Sequence, residues 1–345
     1  MIFIRILLFP FSLIYGLIVA FRNMLFNLKI LSVTKVNAKV ISVGNLSVGG
    51  TGKTPHVEWI VDHLKEQFKT GILLRGYGRK TKGFQRVHST STSEEVGDEA
   101  VNYKKVFKNQ VEVAVCEKRV NGAQEMIRKD DELSLLVLDD AYQHRYIHRD
   151  FNILLTEYNA PFSEDEMLPS GWLREFQRGH KRADCIIVTK SPEELSKQEK
   201  LTFKFKLKVA VEMPVFFSFI EYGDLISIKE QRVVELPENI LLVTGIGNPT
   251  PLIEHLEKTA TVKHLKFKDH YNYSTKDIQE IHKLFDTFAV GNKCIVTTEK
   301  DVARFTQPSL KGTMENYPWY FQKIAVHSEE EEELVKKIKY NVRSN

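Results

Sequence analysis

No aspartate or glutamate precedes Glu58 in this 345-residue chain, although Arg5, Arg22, Lys29, Lys35, Lys39 and Lys53 all do. Such an acid-free, basic flank favours an anionic surface. Cysteine is scarce: Cys116, Cys185 and Cys294 are odd in number, far apart and in no CxxC spacing. That excludes a disulfide framework and a zinc site, and fits a reducing compartment. Neither sign of charge dominates, with 49 Lys+Arg against 45 Asp+Glu, so bulk charge gives no sign of nucleic-acid binding. A composition 42% hydrophobic and 27% charged excludes a disordered chain, a coiled coil and a polytopic membrane protein. The length suits about two domains at roughly 150 residues each.

Long hydrophobic runs are also missing, with one marginal case. The sixteen uncharged residues from Ile6 to Phe21 would reach ~24 Å as a helix, against about 30 Å of hydrocarbon. Arg5, Ser12, Gly16, Asn23 and Asn27 fall on one helical face opposite Leu, Ile and Phe. A secretory signal, with Ile18-Val19-Ala20 as cleavage site, and a short transmembrane anchor both compete here. The stripe favours a helix lying in a membrane surface over residues 1–30. The basic residues after it predict that the rest of the chain stays cytoplasmic.

From Lys39 onward, apolar runs alternate with helical patterns. Lys39–Val43, Gly71–Leu74, Val111–Val115, Leu135–Leu138, Phe151–Leu155 and Cys185–Val188 read as strands of a mostly parallel, helix-covered sheet. Two alternating runs follow, 203–211 and 215–226, with Glu221-Tyr222-Gly223-Asp224 as a turn; they predict an antiparallel bridge. A second α/β unit opens at Ile240–Val243 and has another strand at Lys293–Thr297. Ser328 with Glu331 has the form of a capping box for a last helix.

Ser47-Val48-Gly49-Gly50-Thr51-Gly52-Lys53-Thr54 sits between a predicted strand and a predicted helix. Glycines there let backbone N–H groups converge on phosphates, Lys53 adds charge, and Thr54 is placed to ligate magnesium. Ser47 stands where the standard loop has glycine, so a chance glycine-rich turn competes. Leu135 to Leu138 run into Asp139 and Asp140, the form of a Walker B segment; in isolation two acids at a strand end are as often a solvated turn. Together the two segments predict magnesium-dependent nucleotide chemistry.

The segments Gly44 to Pro55, Arg75 to Lys80, Val96 to Glu99, Leu138 to Arg145 and Leu168 to Glu175 resemble the tetraacyldisaccharide 4′-kinase family of lipid A synthesis. Val243 to Pro249, Asp269-His270 and Thr298 to Asp301 continue the resemblance in order. Departures are Ala141-Tyr142 in place of Gly-Phe, and Phe176 in place of proline. The resemblance implies two α/β/α P-loop/Rossmann-like domains joined by a two-stranded antiparallel linker, after an N-terminal membrane-associated helix. The expected bounds are 31–202, 203–228 and 229–345, the last helix being able to pack back on the first domain.

It also implies transfer of the ATP γ-phosphoryl group to the 4′-hydroxyl of an acylated disaccharide 1-phosphate, with Mg²⁺, at the inner leaflet of the cytoplasmic membrane. No nucleic acid and no obligate protein partner are implied. Asp98 would be the catalytic base, although Gly97-Asp98-Glu99 alone is an ordinary acidic helix start. His270 would orient it across the cleft, although Asp269-His270 alone is an ordinary surface pair. Arg174 and Lys53 would stabilise the transition state, and Glu175 would assist the metal beside Thr54, Asp139 and Asp140. His144, Arg145 and Lys300 are left open. Two other classes compete: a membrane-associated partitioning-type ATPase, which needs a lysine where Val48 stands, and a guanine-nucleotide switch, which needs an Asn-Lys-x-Asp that is absent.

Overall fold

Buried runs of Val, Ile and Leu form the strands of two sheets in the computed structural model, which describes residues 2–230, 232–234, 237–269, 271–288, 291–307, 310 and 312–343. After a first helix α1 (Ile2–Asn27), the chain forms β1 (Lys39–Asn45), α2 (Lys53–Leu64), β2 (Thr70–Leu74), β3 (Gln85–Arg86), α3 (Ser93–Val96), α4 (Asp98–Phe107), β4 (Glu112–Val115) and α5 (Arg119–Lys129). Then come β5 (Leu135–Asp139), β6 (Phe151–Glu157), β7 (Cys185–Thr189), α6 (Lys197–Lys206) and β8 (Val215–Phe217). These strands make one sheet in the order β3-β4-β2-β5-β1-β6-β7-β8, parallel except for β3 against β4. Because β1 lies at its centre between β5 and β6, the segments after β1 and β5 emerge side by side at one sheet edge. That is where an open parallel sheet binds ligands.

The second half runs β9 (Phe219–Ser227), β10 (Val233–Val234), β11 (Asn239–Thr244), α7 (Thr250–Leu256), β12 (Thr261–Lys266), α8 (Thr275–Phe288), β13 (Lys293–Thr298), α9 (Glu299–Phe305), β14 (Trp319–His327) and α10 (Glu331–Arg343). Its sheet order is β10-β9-β14-β13-β11-β12. Ile278, Ile281 and Phe305 cover one face, and Leu252 and Leu256 the other. Both halves are therefore α/β/α sandwiches.

The antiparallel connection between them is real but uses other strands than expected. β9 pairs with β14, Phe219 opposite His327 through to Ser227 opposite Tyr320. The expected strand over 203–211 is absent, and the expected turn at 221–224 lies inside β9. Residues Lys197–Lys206 are helical because Ser196 and Glu199 form a reciprocal capping box. Of the alternating apolar residues, Phe203 and Leu207 are buried, while Phe205 is 69% exposed. The period that matters is four, not two.

Two further expectations are corrected. Glu331 does not close a capping box on Ser328; its carboxylate accepts from Trp59 Nε1 at 3.3 Å and His63 Nε2 at 3.0 Å on α2. The polar stripe of α1 faces protein rather than water. Ser12 Oγ accepts from Ser170 N at 2.9 Å, and Arg145 donates to the Asn23 carbonyl at 3.0 Å and to Asn27 Oδ1 at 2.8 Å. Ile6, Leu7, Phe11, Ile14, Ile18 and Phe21 point outward. Ile4–Asn27, whose most apolar 18 residues have a mean hydropathy of 2.2, is long and apolar enough to cross a membrane.

Candidate active site

The loop from β1 to α2 forms an open cradle. A Cβ added at Gly49 or Gly50 would meet nothing within 4 Å, so bare backbone faces space. Lys53 Nζ folds back to the Gly49 carbonyl at 3.3 Å and lies 4.0 Å from Asp140 Oδ1. The loop is braced from both sides. Ser47 bridges Leu173, Val48 N donates to the Trp172 carbonyl at 2.8 Å, and Arg174 N donates to that of Leu46 at 2.7 Å. From the end of β7, Thr189 Oγ1 donates to the Thr51 carbonyl at 3.0 Å and Lys190 Nζ to that of Gly50 at 2.7 Å. Sequence reasoning missed Thr189 and Lys190; their only signal was an apolar run ending in Thr-Lys-Ser-Pro.

The two acids ending β5 diverge. Asp139 is buried, and desolvation, helped by the charge of Asp140, pushes its carboxyl up to about 6. Its Oδ2 accepts from Tyr103 Oη at 2.9 Å, while Oδ1 is buried and has no hydrogen-bond partner among the described residues. Burial would raise Asp140 as well, but Lys53 and Arg174 outweigh it and hold that carboxyl below the ordinary range. An orphaned carboxylate oxygen beside the loop fits a hard dication. Among the described residues no group of three or more His, Cys, Asp or Glu can hold a metal alone. A dication here would therefore draw most of its ligands from bound phosphate and water, with Thr54 and Asp139 as the protein's share.

Arg174 Nη1 donates to both carboxylate oxygens of Asp140, at 2.8 and 3.0 Å. Glu175 does not suit the expected metal role. Its fully buried carboxylate accepts from Arg182 at 2.7 Å, Gln143 at 3.1 Å and Asn23 at 3.0 Å, so its oxygens are already committed. Arg145 clamps α1. Burial, and then Arg119, Arg149, Arg75 and Arg22, push His144 down to about 4, and Arg119 in turn feels the carboxylates of Asp140 and Asp139.

Asp98 begins α4 after Gly97, whose φ of 89° and close approach to the Tyr77 carbonyl, 2.9 Å from an added Cβ, leave no room for a side chain. Oδ1 of Asp98 accepts from Glu99 N at 3.0 Å. Oδ2 is held at 2.5 Å by Arg304, which comes from α9 in the other half. Arg304 also binds Asp301 at 2.6 Å and the Gly245 carbonyl at 3.1 Å, all deeply buried. The sequence offered no sign of Arg304, a lone arginine in a helix. Glu99 and Glu58 were missed as well; desolvation first, then neighbouring acids, raise them to about 7 and about 8. Lys300 lies 3.5 Å from Asp269. His270 lies outside the described residues.

Known proteins match this chain over nearly its whole length. The family described as tetraacyldisaccharide-1-P 4′-kinase, LpxK, matches residues 4–343. A tetraacyldisaccharide 4′-kinase of Cytophaga hutchinsonii is 40% identical over 97% of this chain and 95% of its own length. One from Flavobacterium johnsoniae is 39% identical over 91% and 92%. The crystal structure of LpxK from Aquifex aeolicus in complex with ATP is similar with TM-score 0.76 and 32% identity, covering 98% of this chain and 99% of that one. Agreement of that extent runs through both sandwiches and the helix that precedes them: this chain belongs to the tetraacyldisaccharide 4′-kinase family.

Proposed function

We propose that the protein transfers the γ-phosphoryl group of ATP to the 4′-hydroxyl of a tetraacylated disaccharide 1-phosphate, on the cytoplasmic face of the inner membrane. The observation that carries this reading is the linked set Lys53, Asp140 and Arg174 beside the open glycine cradle. Backbone N–H groups of the loop and Lys53 hold the phosphates, and Arg174 neutralises charge on the group in transfer. Thr54 and Asp139 would hold Mg²⁺, which would supply further charge neutralisation. Asp98 takes the proton of the 4′-hydroxyl as its oxygen bonds to the γ-phosphorus; the bond to the bridging oxygen breaks and ADP leaves. Arg304 fixes the Asp98 carboxylate for that role. The cations around His144, among them Arg75 and Arg119, suit the substrate's 1-phosphate.

The test is direct. Purified protein incubated with Mg-ATP and the disaccharide 1-phosphate should add one phosphate to the distal sugar, read by mass spectrometry of the lipid. ATP hydrolysis without any lipid product would sink the assignment in favour of a regulatory ATPase.

A further inference from the structure

Three consecutive residues beside the phosphate loop are each gripped by α1. Tyr15 Oη donates to the Arg174 carbonyl at 3.1 Å, and Asn23 Nδ2 donates to Glu175 Oε2 at 3.0 Å. Gly16 makes room for the ring of Phe176, whose Cζ would stand 2.6 Å from a Cβ there. Gly16 and Asn23 lie about two helical turns apart on one face, the face that a surface helix would turn to water, and Tyr15 flanks it. None of these contacts is needed merely to hold an apolar helix against a bilayer.

The gripped segment is the same one that braces the loop. Arg174 N is bonded to Leu46, and the Arg174 guanidinium holds Asp140, which in turn faces Lys53. The side chain of Glu175 closes a second route. It accepts from Gln143 Nε2, and Gln143 Oε1 accepts from Arg174 Nη1 at 3.4 Å. A buried carboxylate that loses a donor rearranges its neighbours to regain one, because an unsatisfied buried charge is costly. Here those neighbours are Arg182 at 2.7 Å and Gln143 with, through it, Arg174.

We propose that Asn23 is a positioning residue for phosphoryl transfer: by holding Glu175 it fixes Gln143 and Arg174, so that the seating of α1 sets the charge geometry at Lys53. This rests on the kinase activity proposed above. A helix acting only as an anchor changes how much lipid the enzyme meets. A helix acting through Asn23 changes how fast bound substrates react.

Asn23→Ala, Asn23→Asp and Tyr15→Phe separate the two roles when assayed with the acceptor lipid dispersed in nonionic detergent micelles, where attachment to a bilayer is not limiting. For Asn23→Ala, kcat should fall about 10- to 100-fold, the scale of a small misplacement of a catalytic group. Asn23→Asp, which sets a second carboxylate against Glu175, should fall further, and Tyr15→Phe less. The lipid KM, affinity for a fluorescent ATP analogue and sedimentation with phosphatidylcholine–phosphatidylglycerol vesicles should all stay within about twofold of wild type, since the outward apolar face and the loop are untouched. Wild-type kcat in all three variants would overturn the proposal, as would a loss confined to lipid KM and vesicle binding. If the Asn23 variants fold poorly, Tyr15→Phe, lacking one hydroxyl, decides between the two roles by its kcat: a fall supports positioning and a wild-type value overturns it. A wild-type enzyme that phosphorylates no lipid would instead overturn the function itself, before any variant is read.

Discussion

Asp139 and Asp140 are chain neighbours that both feel Lys53, and only Asp140 also pairs with Arg174. Asp140 shares Lys53 and Arg174, whereas Asp139 faces Tyr103 and keeps one oxygen unsatisfied. Lys53→Ala should therefore lower phosphoryl transfer by about 100-fold or more, the cost of one preorganised charge donor. The melting temperature should barely move, because Lys53 anchors no core; activity within tenfold of wild type would argue against phosphate contact. Glu58 makes a pH prediction. Its carboxyl is raised from 4.5 to about 8, first by desolvation and then by Glu299 and Asp139. With the folded value above the unfolded one, its contribution to stability is full below about 4.5 and is lost as pH rises through about 8. Urea midpoints of the nucleotide-free protein should fall across that window, and Glu58→Gln should flatten the slope. The phosphate loop and the Asp139-Asp140 pair were legible because each is a contiguous run after a strand. Arg304, Thr189 and Lys190 were not, since single side chains brought in from distant strand and helix ends leave no spacing to read.

Among the elements, strands with continuous apolar runs, such as Leu135 to Leu138 and Cys185 to Val188, could be read directly, since strands buried on both faces carry no alternation to misjudge. Misreadings arose where a period was ambiguous. Residues 203–209 alternate apolar and basic, yet the Ser196 cap starts a helix that buries Phe203 and, one turn on, Leu207 at its end. Ser196→Ala should remove the bond to Glu199 N and destabilise the protein by about 1 kcal/mol in chemical denaturation, with kinase activity retained. No loss of stability would mean that packing of Phe203 alone holds α6. In α1 the period was right and the surroundings of its polar face were not. Amphipathicity shows that two faces meet different surroundings, without telling which face meets protein. The small and amide residues of that stripe suit close helix docking as well as they suit water.

At the scale of the whole molecule, two connections hold the sandwiches in register. Arg304 carries the second half onto Asp98 of the first, with Asp301 completing the buried charge set. Arg304→Met should cost about 3–5 kcal/mol in unfolding free energy, because two carboxylates are left without their cation. An additional Asp301→Asn change should recover part of that loss; a cost under 1 kcal/mol for Arg304→Met would mean that water compensates the pair. The other connection is the return of the chain. β14 runs back beside β9, and α10 buries Leu334, Ile338 and Val342 in the cluster that holds Val57, Ile60 and Leu64 of α2. The helix that follows the phosphate loop thus packs against residues far along the chain. Until α10 docks on α2 the nucleotide-binding half lacks one wall, and closing so long a loop carries an entropic cost. The apolar outer face of α1 takes no part in that closure and stays exposed throughout it. Attachment to a bilayer would thus draw on a different surface from the one that completes the nucleotide half.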